Sequence, residues 1–448
     1  MVRGLAEWIC SLKLSDVPTA TRQTATLRIL DTMGTGIAGS VHPDVATVDR
    51  VLGASAGAVG FRASALGRGR RSLYDACLIN GTAMQVIDMD ELHLPSRTHP
   101  SVAILPALFA VAEGRGLSGA ACLEAYIAGY QVECAAGSAM PQLYQQGWHP
   151  TACLGGIGAA AAVAKLTRMT AADTADALNL AMAQASGTRR VLGGSFKAVQ
   201  AGRAAMQGVF AAMCAREGLA CGGDMMADKL GFAHAATGSS ASLAPQWAET
   251  WSVEQSSVKL HACGFETHAS IDAILSLRGQ GLGIETADRI EIAVHPDALA
   301  VVGIVAPRSP SEARVSLVYC ASLALVFGEV MPGHFSVSRE RAIDIARAAA
   351  TIHVLADAGL PYTASRVVAR NKDGSVLEAA VEAPRGTPGR PLQASDVVRK
   401  FHRLAAPVVG SEGAERLVNC LTRLDEQPDV APVVALAAEP ARGEAVHV

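Results

Sequence analysis

The chain has 448 residues, half of them hydrophobic and 18% charged, with aromatics at only 4% and a formal net charge of -3 at pH 7. That length implies two or three domains with a large core, and the near-neutral balance without a basic run argues against a nucleic-acid-binding protein. The ten scattered cysteines contain no C-x-x-C pair, which argues against zinc-ribbon or iron–sulfur ligation and fits reduced thiols in a cytoplasmic protein.

Residues Met1 to Ser15 carry charges and a tryptophan but no continuous apolar run, so they do not read as a signal peptide. Asp16-Val17-Pro18 reads as a cap followed by a helix start, and Leu27, Leu30, Met33 and Ile37 continue at helical spacing. Within that helix lies Gly34-Thr35-Gly36-Ile37-Ala38-Gly39, a literal G-x-G-x-x-G. The dinucleotide fingerprint needs a strand before its glycines. Here a helix precedes them, so they read as a helix end packed close to a neighbour.

Helices are predicted over 72–88, 100–113, 118–139, 153–166, 170 to about 186, and 201–217. Thr170 and Asp173 suggest a capping box, and 193–197 reads as a glycine loop carrying Lys197. No apolar run, Ala159 to Ala164 included, reaches membrane-span length. From about Trp251 the pattern changes. A strand over 289–294, helices over 313–327 and 339–350, and a hairpin over 365–370 and 377–382 follow, with a Lys372-Asp373-Gly374-Ser375 turn. Helical patterning returns over 395–404 and 412–424, and the tail from Ala431 reads as frayed. The fold class is therefore mainly α. A large helical body is built from both chain ends (1–252 and 394–448), interrupted by a smaller α+β insert over 253–393.

The densest polar stretch runs from Ile87 to Ser101. It holds three acids, two histidines and an arginine in fifteen residues, between two nearly uncharged apolar segments. Polar groups are costly to bury unless paired, so the stretch is either a solvated connection or the floor of a site. His99 precedes Pro100 and His149 precedes Pro150, both at helix starts, where anions are favoured.

Asn80-Gly81-Thr82-Ala83 leading into Asp88-Met89-Asp90-Glu91 and Thr98-His99-Pro100-Ser101 resembles the MmgE/PrpD family. Asp31-Thr32-Met33-Gly34, Gly147-Trp148-His149-Pro150-Thr151, Lys197 with Ala201-Gly202-Arg203-Ala204-Ala205, Thr267-His268, Ile271-Asp272-Ala273, and Glu312-Ala313 to Tyr319 agree in order. The resemblance implies a helical domain and an α+β lid with the site between them. It also implies a homodimer as the usual assembly, and neither metal nor organic cofactor. Carried over by position, the active-site set is Asp88, His99, His149, Lys197, Lys259 and Tyr319. The chain departs from the family at Leu92, where a threonine often closes the acidic motif, and at Gln200 and Gly264, where histidines are often found. His261 and His268 lie near enough in sequence to replace the missing lid histidine.

The family's reactions develop charge beside a carboxylate and move a proton. Histidines titrate near neutrality and suit the proton, whereas lysines suit the carboxylates. The expected roles follow. His99 and His149 exchange protons, and Asp88 orients a histidine or lysine. Lys197 and Lys259 anchor substrate, Tyr319 donates a hydroxyl, and Arg97 and His268 add substrate contacts. Arg189 and Arg190 are further candidates. Asp90 and Glu91 are weaker ones, because acids near helix ends are often solvated. A Ser195/Lys197 nucleophile pair is an alternative without an oxyanion motif around it.

The expected function is a cofactor-independent lyase, a dehydratase or decarboxylase, acting on a small di- or tricarboxylate. An epimerase using the same proton-transfer groups is the first alternative, and a catalytically silent binding or assembly protein is the second. Neither nucleic acid nor membrane is an expected partner.

Overall fold

The computed structural model describes residues 1–53 and 62–439. The first half is helical: α1 (Val2–Ser11), α2 (Thr19–Gly39), α3 (Pro43–Gly53), a short hairpin of β1 (Arg62–Ala65) and β2 (Gly69–Ser72), then α4 (Leu73–Val86). The polar stretch follows and contains the two-residue strand β3 (Leu92–His93). Then come α5 (Ser101–Glu113), α6 (Gly119–Ser138), α7 (Pro150–Leu166), α8 (Ala171–Ala183), α9 (Phe196–Arg216) and α10 (Phe232–Thr237). Every residue of α5 is buried, as expected for a helix that is apolar all round.

The helices approach closely because small residues line their crossings. α9 packs against α4 and α7, and α6 against α7. At the α4–α9 crossing Gly81 faces Gly202, and a Cβ on Gly202 would stand 2.1 Å from the Leu78 carbonyl oxygen. The G-x-G-x-x-G stretch sits inside α2, as the missing strand implied. A Cβ on Gly34 would meet Phe401 and one on Gly36 would meet Met84, each at 2.7 Å.

The later part begins with the two-residue strand β4 (Ser256–Ser257), which pairs antiparallel with β3 and so ties the polar stretch to the segment carrying Lys259. Next are α11 (His268–Arg278), β5 (Ala287–Val294), α12 (Pro296–Val302), α13 (Pro310–Ala313), α14 (Leu317–Phe327), α15 (Arg339–Thr351), β6 (Ile352–Ala356), β7 (Ser365–Asn371) and β8 (Val376–Val381). The sheet order is β6-β5-β7-β8, with β5 and β6 parallel and the other pairs antiparallel. The predicted hairpin turns at Gly374, φ 87°. The chain then returns through α16 (Ala394–Leu421), which packs on α2, and α17 (Ala431–Ala438), which packs on α5.

Several boundaries differ from expectation. The two helices predicted over 395–404 and 412–424 run on from one another within α16, separated by the non-helical backbone at Gly410 (φ 78°). The tail from Ala431 is helical to Ala438, because Val433, Val434 and Ala437 bury against the body; residues 440–448 lie outside the described residues. α9 starts at Phe196, so Lys197 lies in a first helical turn rather than in a loop. No helix among the described residues is long and apolar enough to cross a membrane.

Gly202→Ala is expected to destabilise the protein by about 1–3 kcal/mol, the usual cost of overpacking a tight crossing. A lowered urea midpoint with unchanged slope would show this. An unchanged midpoint would mean that the α4–α9 crossing can open to take a methyl group.

Candidate active site

The polar stretch is a floor, not a surface loop. Asp88, Asp90, Glu91, His93, Thr98, His99 and Ser101 are all buried. Asp90 and Glu91, expected to be solvated, have no exposed surface. Glu91 binds the segment together: its carboxylate accepts from the Ser101 amide (2.8 Å), in the first turn of α5, and from the Tyr130 hydroxyl (3.1 Å). Asp88 and Arg97 both adopt φ 55°, a left-handed conformation that non-glycine residues rarely take. Such strain persists only where surrounding contacts enforce it, and it concentrates at functional sites.

At Asp88 the enforcing contacts are ionic. Its Oδ1 accepts from Lys197 Nζ at 2.8 Å and from Lys259 Nζ at 2.7 Å. Lys259 also lies 3.3 Å from the Asp88 carbonyl oxygen. Burial alone would push the Asp88 carboxyl up, but the two ammonium groups outweigh it and hold the group well below the usual carboxylate range. One carboxylate thus organises two cations drawn from α9 and from the segment after β4. Of the two partners expected for Asp88, a histidine or a lysine, the carboxylate contacts lysines.

Asp90 orients the histidine. Its Oδ2 stands 2.7 Å from His99 Nδ1. The Nδ1–H bond itself points at the Glu91 carbonyl oxygen, also 2.7 Å away, with Asp90 off the N–H axis as a charge partner. A carbonyl can only accept, so the proton sits on Nδ1 and Nε2 is left for chemistry. The Asp90 carboxyl, raised by burial, is brought below its ordinary range chiefly by His99.

His149 differs. It N-caps α7, and its Nδ1 donates to Gln200 Oε1 at 2.7 Å. Burial first, and Lys197 second, lower its pKa to about 3, so the ring is neutral at any ordinary pH. The two histidines are therefore not equivalent. One sits beside a carboxylate; the other faces a cation and an amide.

These groups share one cavity, lined by Asp88, His99, His149, Lys197, Lys259 and Arg97 together with Leu92, Tyr144, Gly264 and Glu266. Two expected residues are not brought to it. Tyr319 stacks on Phe335, with ring centroids 6.0 Å apart, because its place in the first turn of α14 turns it toward an apolar cluster. His268 is buried at the start of α11 against His261 and Phe265, with Nε2 3.4 Å from the Cys263 carbonyl oxygen. Ser195 is absent from this wall and lines a neighbouring recess.

Sequence reading missed other participants. Tyr144, Glu266 and Tyr362 join Arg97 at the cavity edge, where the Tyr362 hydroxyl donates to Glu266 Oε1 at 2.7 Å. Behind the floor, Lys400 Nζ lies 2.6 Å from Asp31 Oδ1 and donates to the Met89 carbonyl oxygen at 2.7 Å. No local pattern announces Lys400, though its burial within a polar-faced helix would. Asp31, inside a motif shared with the family, was the available signal.

Comparisons with known proteins identify the family. A model of the MmgE/PrpD N-terminal domain matches residues 3–243 and one of the MmgE/PrpD C-terminal domain matches residues 261–426. The chain belongs to the MmgE/PrpD family. Curated relatives within it include a cis-aconitate decarboxylase-like protein of Aspergillus oryzae, 27% identical over 96% of both chains. They also include the cis-aconitate decarboxylases of Aspergillus terreus (25% identical, 81% of this chain and 80% of that one) and Homo sapiens (26%, 82% and 80%). The protein is an MmgE/PrpD-type enzyme of the lyase class.

Buried neutral histidines make this MmgE/PrpD fold acid-sensitive. Burial lowers His93 to about 4, and His149 and His268 are depressed likewise. Below an unfolded pKa near 6.5 the unfolded chain takes up protons that these rings refuse in the folded state. Their contribution is therefore complete above pH 6.5 and is lost as pH falls toward the folded values. Buried Glu133, whose carboxyl is raised by burial, acts in the opposite sense, so a variant isolates the histidine part. His93→Gln should lose less stability than the parent between pH 7 and pH 5, by on the order of 2 kcal/mol. Equal losses in parallel urea titrations would contradict that assignment.

Proposed function

We propose that this enzyme is a decarboxylating lyase acting on a small unsaturated tricarboxylate of the cis-aconitate type. The observation that carries the reading is the convergence of Lys197, Lys259, His99 and His149, from four separate segments, on one cavity floored by Asp88. With His99 protonated beside Asp90, as the step below requires, three cations face the Asp88 and Asp90 carboxylates, and the surplus positive charge suits a substrate carboxylate. The relatives' named substrate supports a tricarboxylate.

The chemistry needs one proton. As the bond between a methylene carbon and its carboxylate breaks, the released electron pair forms a new carbon–carbon double bond. The old double bond's electrons move to the carbon beside a second carboxylate, whose oxygens share the charge under Lys197 and Lys259. That carbon then takes a proton from the His99 imidazolium, which Asp90 steadies, and carbon dioxide leaves. His149, neutral to about pH 3, donates nothing in this scheme and positions the substrate through its free nitrogen. An epimerase needs two proton-transfer groups of comparable power on opposite faces, and this asymmetry argues against one. A dehydratase on a hydroxylated tricarboxylate remains the second reading. It is favoured by Glu266, a carboxyl in the cavity wall able to engage a hydroxyl.

The same proposal places the domain limits at 1–252 with 394–448 for the body and 253–393 for the lid, supported by the packing of α16 on α2. It includes a cytoplasmic homodimer, and it assigns the charge stabilisation to lysines and the proton to histidine without a cofactor.

His99→Gln should lower kcat by about 10²–10⁴-fold while a tricarboxylate still raises the melting temperature. Lys197→Met should remove that thermal shift. In deuterium oxide, NMR of the reaction with cis-aconitate should show carbon dioxide loss and one deuterium beside a carboxylate. Water loss from a hydroxy acid would favour the dehydratase, exchange without loss an epimerase, and undiminished turnover by both variants would remove the proposed roles.

A further inference from the structure

A second cavity lies outside the first. Its free volume is ≈ 640 Å³ against ≈ 80 Å³ for the inner one, and Arg97, Tyr144, Leu192 and Val301 line both and form the wall between them. Arg189 and Arg190 line the second cavity and not the first. Arg97 and Arg189 lie over the Tyr144 ring, 4.7 and 4.4 Å from its centroid, and Arg97 also lies 5.1 Å from the Tyr362 centroid. Among the described residues, none of these three guanidinium groups has a carboxylate oxygen within 4.0 Å. The acid in the outer wall, Asp297, is directed at its neighbour His295, 3.8 Å away.

Guanidinium groups stay charged at every working pH, so gathering three without a counter-ion is costly. Arg97 and Arg189 lie over aromatic faces, and of their N–H groups Arg97 Nη1 donates to the Tyr362 hydroxyl at 3.4 Å; guanidinium edges match carboxylate oxygens in pairs. We propose that Arg97, Arg189 and Arg190 form an outer docking site for a polycarboxylate, occupied before the acid reaches the lysines. Arg97 belongs to both chambers. Its clamp between Tyr144 of the body and Tyr362 of the sheet region closes the inner chamber, and an arriving carboxylate competes for the same guanidinium. Such a site raises the capture rate and leaves the chemical step alone.

The double variant Arg189→Gln/Arg190→Gln leaves the inner groups intact. With tricarballylate as a non-reacting probe, calorimetric titration should find two sites per chain in the native protein and one in the double variant. The kinetic measurement rests on the lyase reading above. There kcat/KM should fall about tenfold with kcat unchanged, and its decline with added salt should become shallower. Far-ultraviolet circular dichroism checks folding, and Arg190→Gln alone serves if the double variant unfolds. A single tricarballylate site in both proteins, or kcat/KM and salt slope unaltered, overturns the docking site. Absence of any turnover in the native protein would instead sink the lyase reading, with the titration still deciding the outer site.

Discussion

A single carboxylate shared by two ammonium groups holds this site together. Asp88 is buried, and an isolated charge there would be costly. Lys197 and Lys259 remove that cost, and in doing so they fix the end of α4, the first turn of α9 and the segment after β4 relative to one another. The left-handed backbone at Asp88 is held by the same contacts. Asp90 is the next acid within reach of both lysines, so the cluster is a network of two carboxylates and two ammonium groups and not one isolated ion pair.

Around that centre the two histidines differ in what each touches. His99 has a charged neighbour and a backbone acceptor on one nitrogen. His149 has a neutral amide and a nearby lysine. Their similar sequence settings, each before a proline at a helix start, concealed this difference. The partners that set ring chemistry lie 8 and 51 residues away along the chain.

Sequence reading recovered the helical body, the hairpin and the return of the last helices because those rest on local signals: 3.6-residue periodicity, caps and turn residues. It recovered the meaning of Gly34, Gly36 and Gly39 because the fingerprint's strand was missing. Lys197, Lys259, His99 and His149, which share the cavity, were named through family resemblance, since no spacing rule joins residues so far apart. Tyr319 and His268 do not line it, because a residue's presence in a shared segment does not say which way its side chain turns. Glu266, Tyr362 and Lys400 escaped notice because each gains its meaning only from a partner on a distant element.

Lys400 carries a further implication. It reaches from α16 to the Met89 carbonyl, between the two aspartates that organise the lysines and His99. During synthesis, residues 1–399 leave the ribosome before this fastening exists, and domains tend to fold as they emerge. The floor therefore acquires this anchor only once the 399 residues before it have been made and α16 has docked.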